Sequence, residues 1–475
     1  MSTTLHTDSD LPTEKAEQAS PARVPADLDE IDPDTAEDDK EVATYPEGGL
    51  RAWLVVFGSW CCMFSCFGIW NSIGVLQAWL ASHQLAHYSQ GTVSWIFSIY
   101  SFLFFFCGVQ IGPVFDRFGV APLIIPGAIG LVTSIVLTSF CKEFYQFVLA
   151  FSVLGGVTGS MLFTPAIAVL GYWFEKRRGL AIGVACTAGS VGGVVYPILF
   201  RSVAPRIGFG WTLRIIGLIC GVFMLCAVAF LKTRPLVEPV EPAEDEKSLG
   251  ITTTKSDKPK VRPRSAAIDL SAFKEPVFAF TAVGVYMIEW GLMIPLTYLT
   301  SYALSKAGTT ITESFAYQLI CIMNGASFFG RWLPGWIADK MGRYNMIIIT
   351  TFMSSVVTLC VWTTTAAPSV ESPAAMIVYA VLFGIASGSG VSLSATCVAQ
   401  ICRTEDYGTR YGTIYSFASI GTLTGVPLAG AVLSAQGGNI YTGLSAFGGA
   451  CYLTAAVSFL ISRMLATKGA VMTVF

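Results

Sequence analysis

From Trp53 onward the chain returns repeatedly to apolar stretches long enough to cross a bilayer, and this recurrence constrains the fold more than any other feature. A helix needs about 20 apolar residues to span hydrocarbon, where every backbone N–H and C=O must be satisfied within the segment. Six such segments precede a polar centre, at roughly 53–79, 91–112, 120–140, 144–170, 179–201 and 210–231. Six more follow it, at roughly 276–302, 313–338, 343–365, 373–396, 409–434 and 440–464. With 53% hydrophobic and 13% charged residues, against about 25% charged in soluble domains, the composition excludes a water-soluble protein. The expectation is an all-α membrane protein of 12 transmembrane helices in two six-helix halves.

The polar segments divide the chain. Residues 1–45 read as a disordered acidic tail, with Asp27-Leu-Asp-Glu-Ile-Asp-Pro-Asp34 and Glu37-Asp-Asp-Lys-Glu41 and no apolar core. The tail has neither the basic and apolar regions of a cleaved secretory signal nor the Arg-rich character of a mitochondrial presequence. The N-terminal half then covers 46–231, a Pro-containing charged linker 232–274, the C-terminal half 275–464 and a short tail 465–475. Lys and Arg gather in alternate connections, among them Arg117, Lys176, Arg177, Arg178, Lys340, Arg343, Arg403 and Arg410, which predicts that both termini and the linker are cytoplasmic.

One short pattern occurs twice, 223 positions apart: Gly112-Pro-Val-Phe-Asp116-Arg117-Phe-Gly119 and Gly335-Trp-Ile-Ala-Asp339-Lys340-Met-Gly342-Arg343. A charge in hydrocarbon is costly, so each copy predicts a tight charged turn at the membrane surface. Charges that merely keep a loop in water explain one copy better than two matched ones. Duplicated halves of this kind point to a transporter before any substrate is considered.

Other chemistries find little support. The thirteen cysteines lie mostly in apolar runs, such as Cys61, Cys62, Cys66, Cys220, Cys226 and Cys360, and read as small packing residues. Neither Cys62 with Cys66 nor His83 with His87 has further ligands at metal-binding spacing, so no metal and no cofactor is expected. There is no phosphate-cradling Gly-rich loop, no nucleophile elbow, no H-E-x-x-H and only three histidines, which argues against an enzyme and against ATP as the energy source. A net charge of −2 without basic blocks argues against nucleic acid.

The repeated turn resembles the loop motif between the second and third helices of each half in the major facilitator superfamily, and the resemblance covers nearly the whole chain after Tyr45. It implies the major facilitator fold, with Gly112, Asp116, Arg117, Gly119, Gly335, Asp339, Lys340, Gly342 and Arg343 as gating residues that pair across the half interface. Two stretches are similar to monocarboxylate transporter-like proteins, most of all the fungal branch: Pro46-Glu47-Gly48-Gly49-x-x-Ala-Trp53, and Tyr172-x-Phe174-x-Lys176-Arg177-Arg178-x-Leu180-Ala181-x-Gly183 running on to Gly192. That branch includes importers of carboxylates or vitamins and exporters of secondary metabolites. Arg331 matches the family's helix-eight arginine. Asn71 stands where animal carriers place a substrate-binding lysine, and Ser327 where they place an aspartate, so their proton-and-anion relay does not carry over.

Ionisable residues deep in a span are expensive and by default face a cavity with a partner. Arg331 can fork onto a substrate carboxylate, or can snorkel to a helix end and pair structurally. Glu289, midway along the seventh segment, is a candidate proton-coupling site with Arg331 as its counter-charge; the alternative is a structural carboxyl. Asn71, Tyr100, Asn324, Tyr196, Tyr379 and Tyr415 are candidate cavity-lining residues; interfacial tyrosine belts and interhelical hydrogen bonds would also produce them and are the better account of any single one. The function expected is secondary active transport of a small organic molecule by alternating access, coupled to protons and directed toward export of an organic acid or secondary metabolite. Import of a monocarboxylate or related nutrient and a non-transporting membrane sensor are the alternatives. The partners expected are a small-molecule substrate, membrane lipid and protons; the resemblance implies the plasma membrane, with vacuolar or other internal membranes as the alternatives.

Overall fold

A computed structural model describes residues 45–234, 270–306, 311–366, 372–437 and 440–470. The tail expected over 1–45 therefore lies outside the described residues but for Tyr45, as do 235–269 of the linker and the last five positions. Among the described residues there are helices and no strands. The long helices are α1 (Gly49–Asn71), α2 (Gly91–Phe118), α3 (Ala121–Thr138), α4 (Phe144–Tyr172), α5 (Arg178–Ile207) and α6 (Phe209–Phe230). They continue with α7 (Pro276–Ser305), α8 (Glu313–Met341), α9 (Arg343–Thr365), α10 (Pro373–Gln400), α11 (Thr404–Ala435) and α12 (Thr442–Ala466).

Eleven of the twelve are long and apolar enough to cross a membrane. The exception is α8, whose 29 residues carry Asn324, Arg331, Asp339 and Lys340, which dilutes its apolar character. A short helix, Ile73–Ser82, prolongs α1 beyond a break at Ser72. The first expected span, 53–79, thus joins two helices.

Local sequence sets the helix ends. Ser89, Thr312 and Ser372 cap N-termini by accepting the backbone N–H three residues on, and Pro276 and Pro373 occupy first-turn positions where no N–H is needed. The repeated motif is corrected here. Both copies are the last turns of helices rather than turns in water: α2 runs through Asp116 to Phe118 and α8 through Asp339 to Met341. Only the final glycine leaves the helix, Gly119 at φ 76° and Gly342 at φ 96°, left-handed conformations that a side chain would strain.

The first and last six helices meet along two seams, α2 with α11 and α5 with α8. Glycine makes both contacts close. A methyl group added at Gly112 would strike the Gly408 carbonyl oxygen, and one at Gly183 would lie 2.6 Å from the carbonyl oxygen of Arg331. Without a hydrophobic drive between helices in lipid, such close backbone approach supplies the packing energy.

Candidate functional site

At one end of the bundle the two motif carboxylates reach across the seams to opposite helix starts. Asp116 of α2 accepts the backbone N–H groups of Gly408 and Thr409 at 2.9 and 2.6 Å, and the Thr409 hydroxyl at 2.7 Å. Asp339 of α8 accepts the N–H groups of Gly179 and Leu180 at 2.8 Å each. Each acid therefore caps a helix of the other half, where free N–H groups and the helix dipole favour a negative charge. The other motif residues stay at the rim: the Arg117 guanidinium lies 5.0 Å from the Phe118 ring centroid, and Lys340 Nζ lies 3.9 Å from that of Trp336. Arg343 donates to the Glu175 carbonyl.

Further ties lie at this end, those of Tyr45 and Arg178 crossing to the other half and those of Glu47 and Arg410 staying within one half, and sequence reasoning assigned them no role beyond membrane topology or resemblance. The Glu47 carboxylate accepts the N–H groups of Glu175, Lys176 and Arg177 at 2.8, 2.7 and 3.2 Å, and the Tyr45 hydroxyl lies 2.8 Å from that of Thr404. Buried Arg178 donates to the carbonyls of Phe174, Gly171 and Ala399, bridging α4, α5 and the end of α10. Arg410 forks onto Glu275 at 2.6 and 2.7 Å. The spacing of these charges in sequence gives no hint that they converge.

Toward the opposite end, a cavity of about 150 Å³ opens between α1 and its extension, α2, α7 and α11. Trp70, Asn71 and Gln77 line one side, and hydroxyl-bearing residues of α2 and α7 line the other. Ser98 in its wall is eighteen residues from Asp116 on the same helix, roughly 27 Å at 1.5 Å per residue. One end is thus sealed, and the larger cavity lies toward the other.

Below this cavity a smaller one of about 30 Å³ brings together Asn71, Asn324, Ser327 and Arg331. Asn71 lines both cavities. Arg331 is 5% exposed, donates through Nη1 to the Cys186 carbonyl at 3.1 Å, and lies 4.9 Å from the Phe67 ring centroid. Its Nε is buried without a hydrogen-bond partner. Asn324 donates to the Gly193 carbonyl at 3.3 Å, and Ser327 shares a 2.7 Å hydroxyl contact with Ser190 across the α5–α8 seam.

Glu289 is buried, and both carboxyl oxygens lack hydrogen-bond partners. It forms no ion pair with Arg331, which corrects the expected counter-charge. Its electrostatic neighbours are Tyr415 of α11 and Tyr452 of α12. Tyr415 packs at a tilt against Tyr411, with ring centroids 4.7 Å apart, and its hydroxyl lies 3.5 Å from the carbonyl of Val391, a residue that lines the smaller cavity. The remaining tyrosines are elsewhere. Tyr196 points to the Phe64 carbonyl and the Cys220 thiol and lines a separate apolar pocket, Tyr379 packs between Trp362 and Phe383, and Tyr100 packs on Phe104 and Phe151. All thirteen cysteines are free thiols, and no cluster of three metal-ligating side chains occurs among the described residues.

A family model described as Major Facilitator Superfamily matches residues 59–369 and 327–470. The chain belongs to the major facilitator superfamily. Among curated relatives of this superfamily member, the MFS transporter asaE of Aspergillus flavus is 35% identical over 89% of each chain. The Fujikurins efflux protein of Gibberella fujikuroi is 35% identical, over 96% of this chain and 90% of that one. The crystal structure of the human organic anion transporter MFSD10 (TETRAN) shares the fold at a TM-score of 0.66 with 16% identity, covering 87% of this chain and 100% of that one. This major facilitator protein is accordingly an integral, multi-pass membrane transporter of small molecules and not an enzyme.

Proposed function

We propose that the protein exports a small organic metabolite across the plasma membrane by alternating access, driven by protons, and that it falls in the monocarboxylate porter-like branch. The observation carrying this reading is the asymmetry of the interior: reciprocal carboxylate caps seal one end while the larger cavity lies toward the other. The sealed end is read as the cytoplasmic one, with both termini on that side. Residues 46–231 and 275–464 then rock as two bodies about the α2–α11 and α5–α8 seams, joined by the linker 232–274.

In this scheme Arg331, Asn71 and Asn324 bind the cargo, and Glu289 carries the proton. Arg331 has a free Nε and only one backbone acceptor, leaving the guanidinium able to fork onto an acidic group when the smaller cavity widens. Glu289 holds a carboxyl in a dry site where its neutral form avoids the cost of a lone buried charge. Export is favoured by Asn71 and Ser327, which lack the charge of a dedicated carboxylate relay, and by the efflux role in the name of one relative.

The test compares metabolites inside and outside cells with and without the chain at two external pH values. Export predicts intracellular accumulation when the chain is absent, with a pH-dependent difference. Loss of uptake on deletion would reverse the direction, and ligand-dependent signalling without flux would replace transport by sensing.

A further inference from the structure

Serines and threonines within membrane helices ordinarily donate to a carbonyl three or four residues back, because a free hydroxyl in hydrocarbon is costly. This chain follows the habit: Ser72, Thr138, Thr158, Thr281, Thr351 and Ser387 all do so. Five residues break it together. Ser98 and Ser101 of α2, and Thr297, Thr300 and Ser301 of α7, form no side-chain hydrogen bond among the described residues, and all five line the larger cavity. Ser98 and Ser101 are only 6% and 5% exposed. Trp70, 1% exposed, lines the same cavity with its indole N–H unpartnered.

Free hydroxyls on two facing helices, an unpaired indole donor and no ionisable side chain in the wall describe a site short of partners and short of charge. The Trp70 indole N–H is buried without a partner, which is costly, and the hydroxyls are left for the cavity rather than spent on their own backbone, so a ligand that brings its own oxygens can meet both. A hydroxyl can donate or accept, which suits carbonyl, ether and hydroxyl groups alike and offers nothing to balance a full charge. We propose that this cavity is a specificity site for the uncharged, oxygen-rich body of the cargo, an aromatic or alicyclic molecule bearing several hydroxyl or carbonyl groups, with Ser98, Ser101 and Thr300 as the main determinants. The inference rests on the transport reading above and adds the class of molecule; any acidic group is left to Arg331, in the separate cavity below.

Two nitrophenyl compounds that differ in charge and in hydroxyl content test it on the full chain purified in detergent: p-nitrophenyl β-glucoside, uncharged and hydroxyl-rich, and p-nitrobenzoate, an anion. The glucoside is expected to raise the Tm and the benzoate to leave it unchanged. Ser98→Ala, Ser101→Ala and Thr300→Val should each weaken glucoside binding about fivefold. Thr454→Val, whose hydroxyl is bonded to Ala450 at an exposed site, should not. Unliganded Tm values equal to the wild type confirm that the variants are folded.

Stabilisation by benzoate but not glucoside overturns the proposal, as do absence of any glucoside effect and glucoside binding that the three variants leave untouched. Should cells expressing the chain still export metabolites in those cases, the transport reading survives and only the specificity site falls. If cellular flux is absent as well, both fall.

Discussion

Two buried ionisable side chains, Glu289 and Arg331, stand apart in the interior, and each makes a distinct prediction. Glu289→Gln removes the titrating proton while keeping size and polarity, so transport measured at two external pH values should lose its pH dependence and fall at least severalfold under a proton gradient. Unchanged pH dependence would reject the coupling role. Arg331→Lys keeps the charge but loses the fork, and cargo affinity should drop roughly tenfold, or about 1.4 kcal/mol; recovery of full affinity in the lysine variant would indicate that charge alone suffices. Arg331, Asn71 and Asn324 stood out in the sequence because a charge or amide in an apolar span is costly, and the structure gathers the three around the smaller cavity. Tyr196 and Tyr379 were harder to place because a tyrosine reads the same whether it lines a cavity or packs in a core: Tyr196 lines an apolar pocket apart from the two central cavities, and Tyr379 packs between Trp362 and Phe383. The free hydroxyls of α2 and α7 were missed for a related reason: a helical serine gives no sign in sequence of whether it bonds its own backbone. Only the spacing of Ser94, Ser98 and Ser101, which places them on one face, could have signalled a lined wall.

Among elements, the starts of α5 and α11 carry the seal. Loss of a charged N-terminal cap costs about 1 kcal/mol, roughly a fivefold shift between conformations. Asp116→Asn and Asp339→Asn should each open the sealed end by that factor, read as faster labelling of a reporter cysteine placed there in a cysteine-depleted chain. Gly112→Val should act more strongly, since its side chain meets backbone at Gly408, which cannot rotate away; wild-type labelling in that variant would show that α2 and α11 need not touch. The motif was found from sequence but given the wrong setting. The end of an apolar run marks where hydrocarbon stops, whereas α2 and α8 continue until Gly119 and Gly342 release the chain, which carries Asp116 and Asp339 onto neighbouring helices rather than into water.

On the scale of the whole molecule, the helical architecture was almost fully legible, because each span must satisfy its own backbone and announces itself by length. Eleven helices meet that standard, and α8 falls short by carrying the polar residues that the proposed mechanism uses. Alternating access driven by protons makes a global prediction: collapsing the proton gradient should abolish concentrative export from energised vesicles yet leave cargo exchange across the membrane intact, because exchange needs only the rocking motion. Loss of both together would mean that the proton is required for the motion itself. The two caps also have a mechanical consequence. Asp116 pulls α11 toward α2 on one side of the interface, and Asp339 pulls α5 toward α8 on the other, so together they resist torque as well as separation. With one removed, the remaining cap becomes a pivot, and the released end should swing into a skewed, wedge-shaped aperture instead of parting evenly.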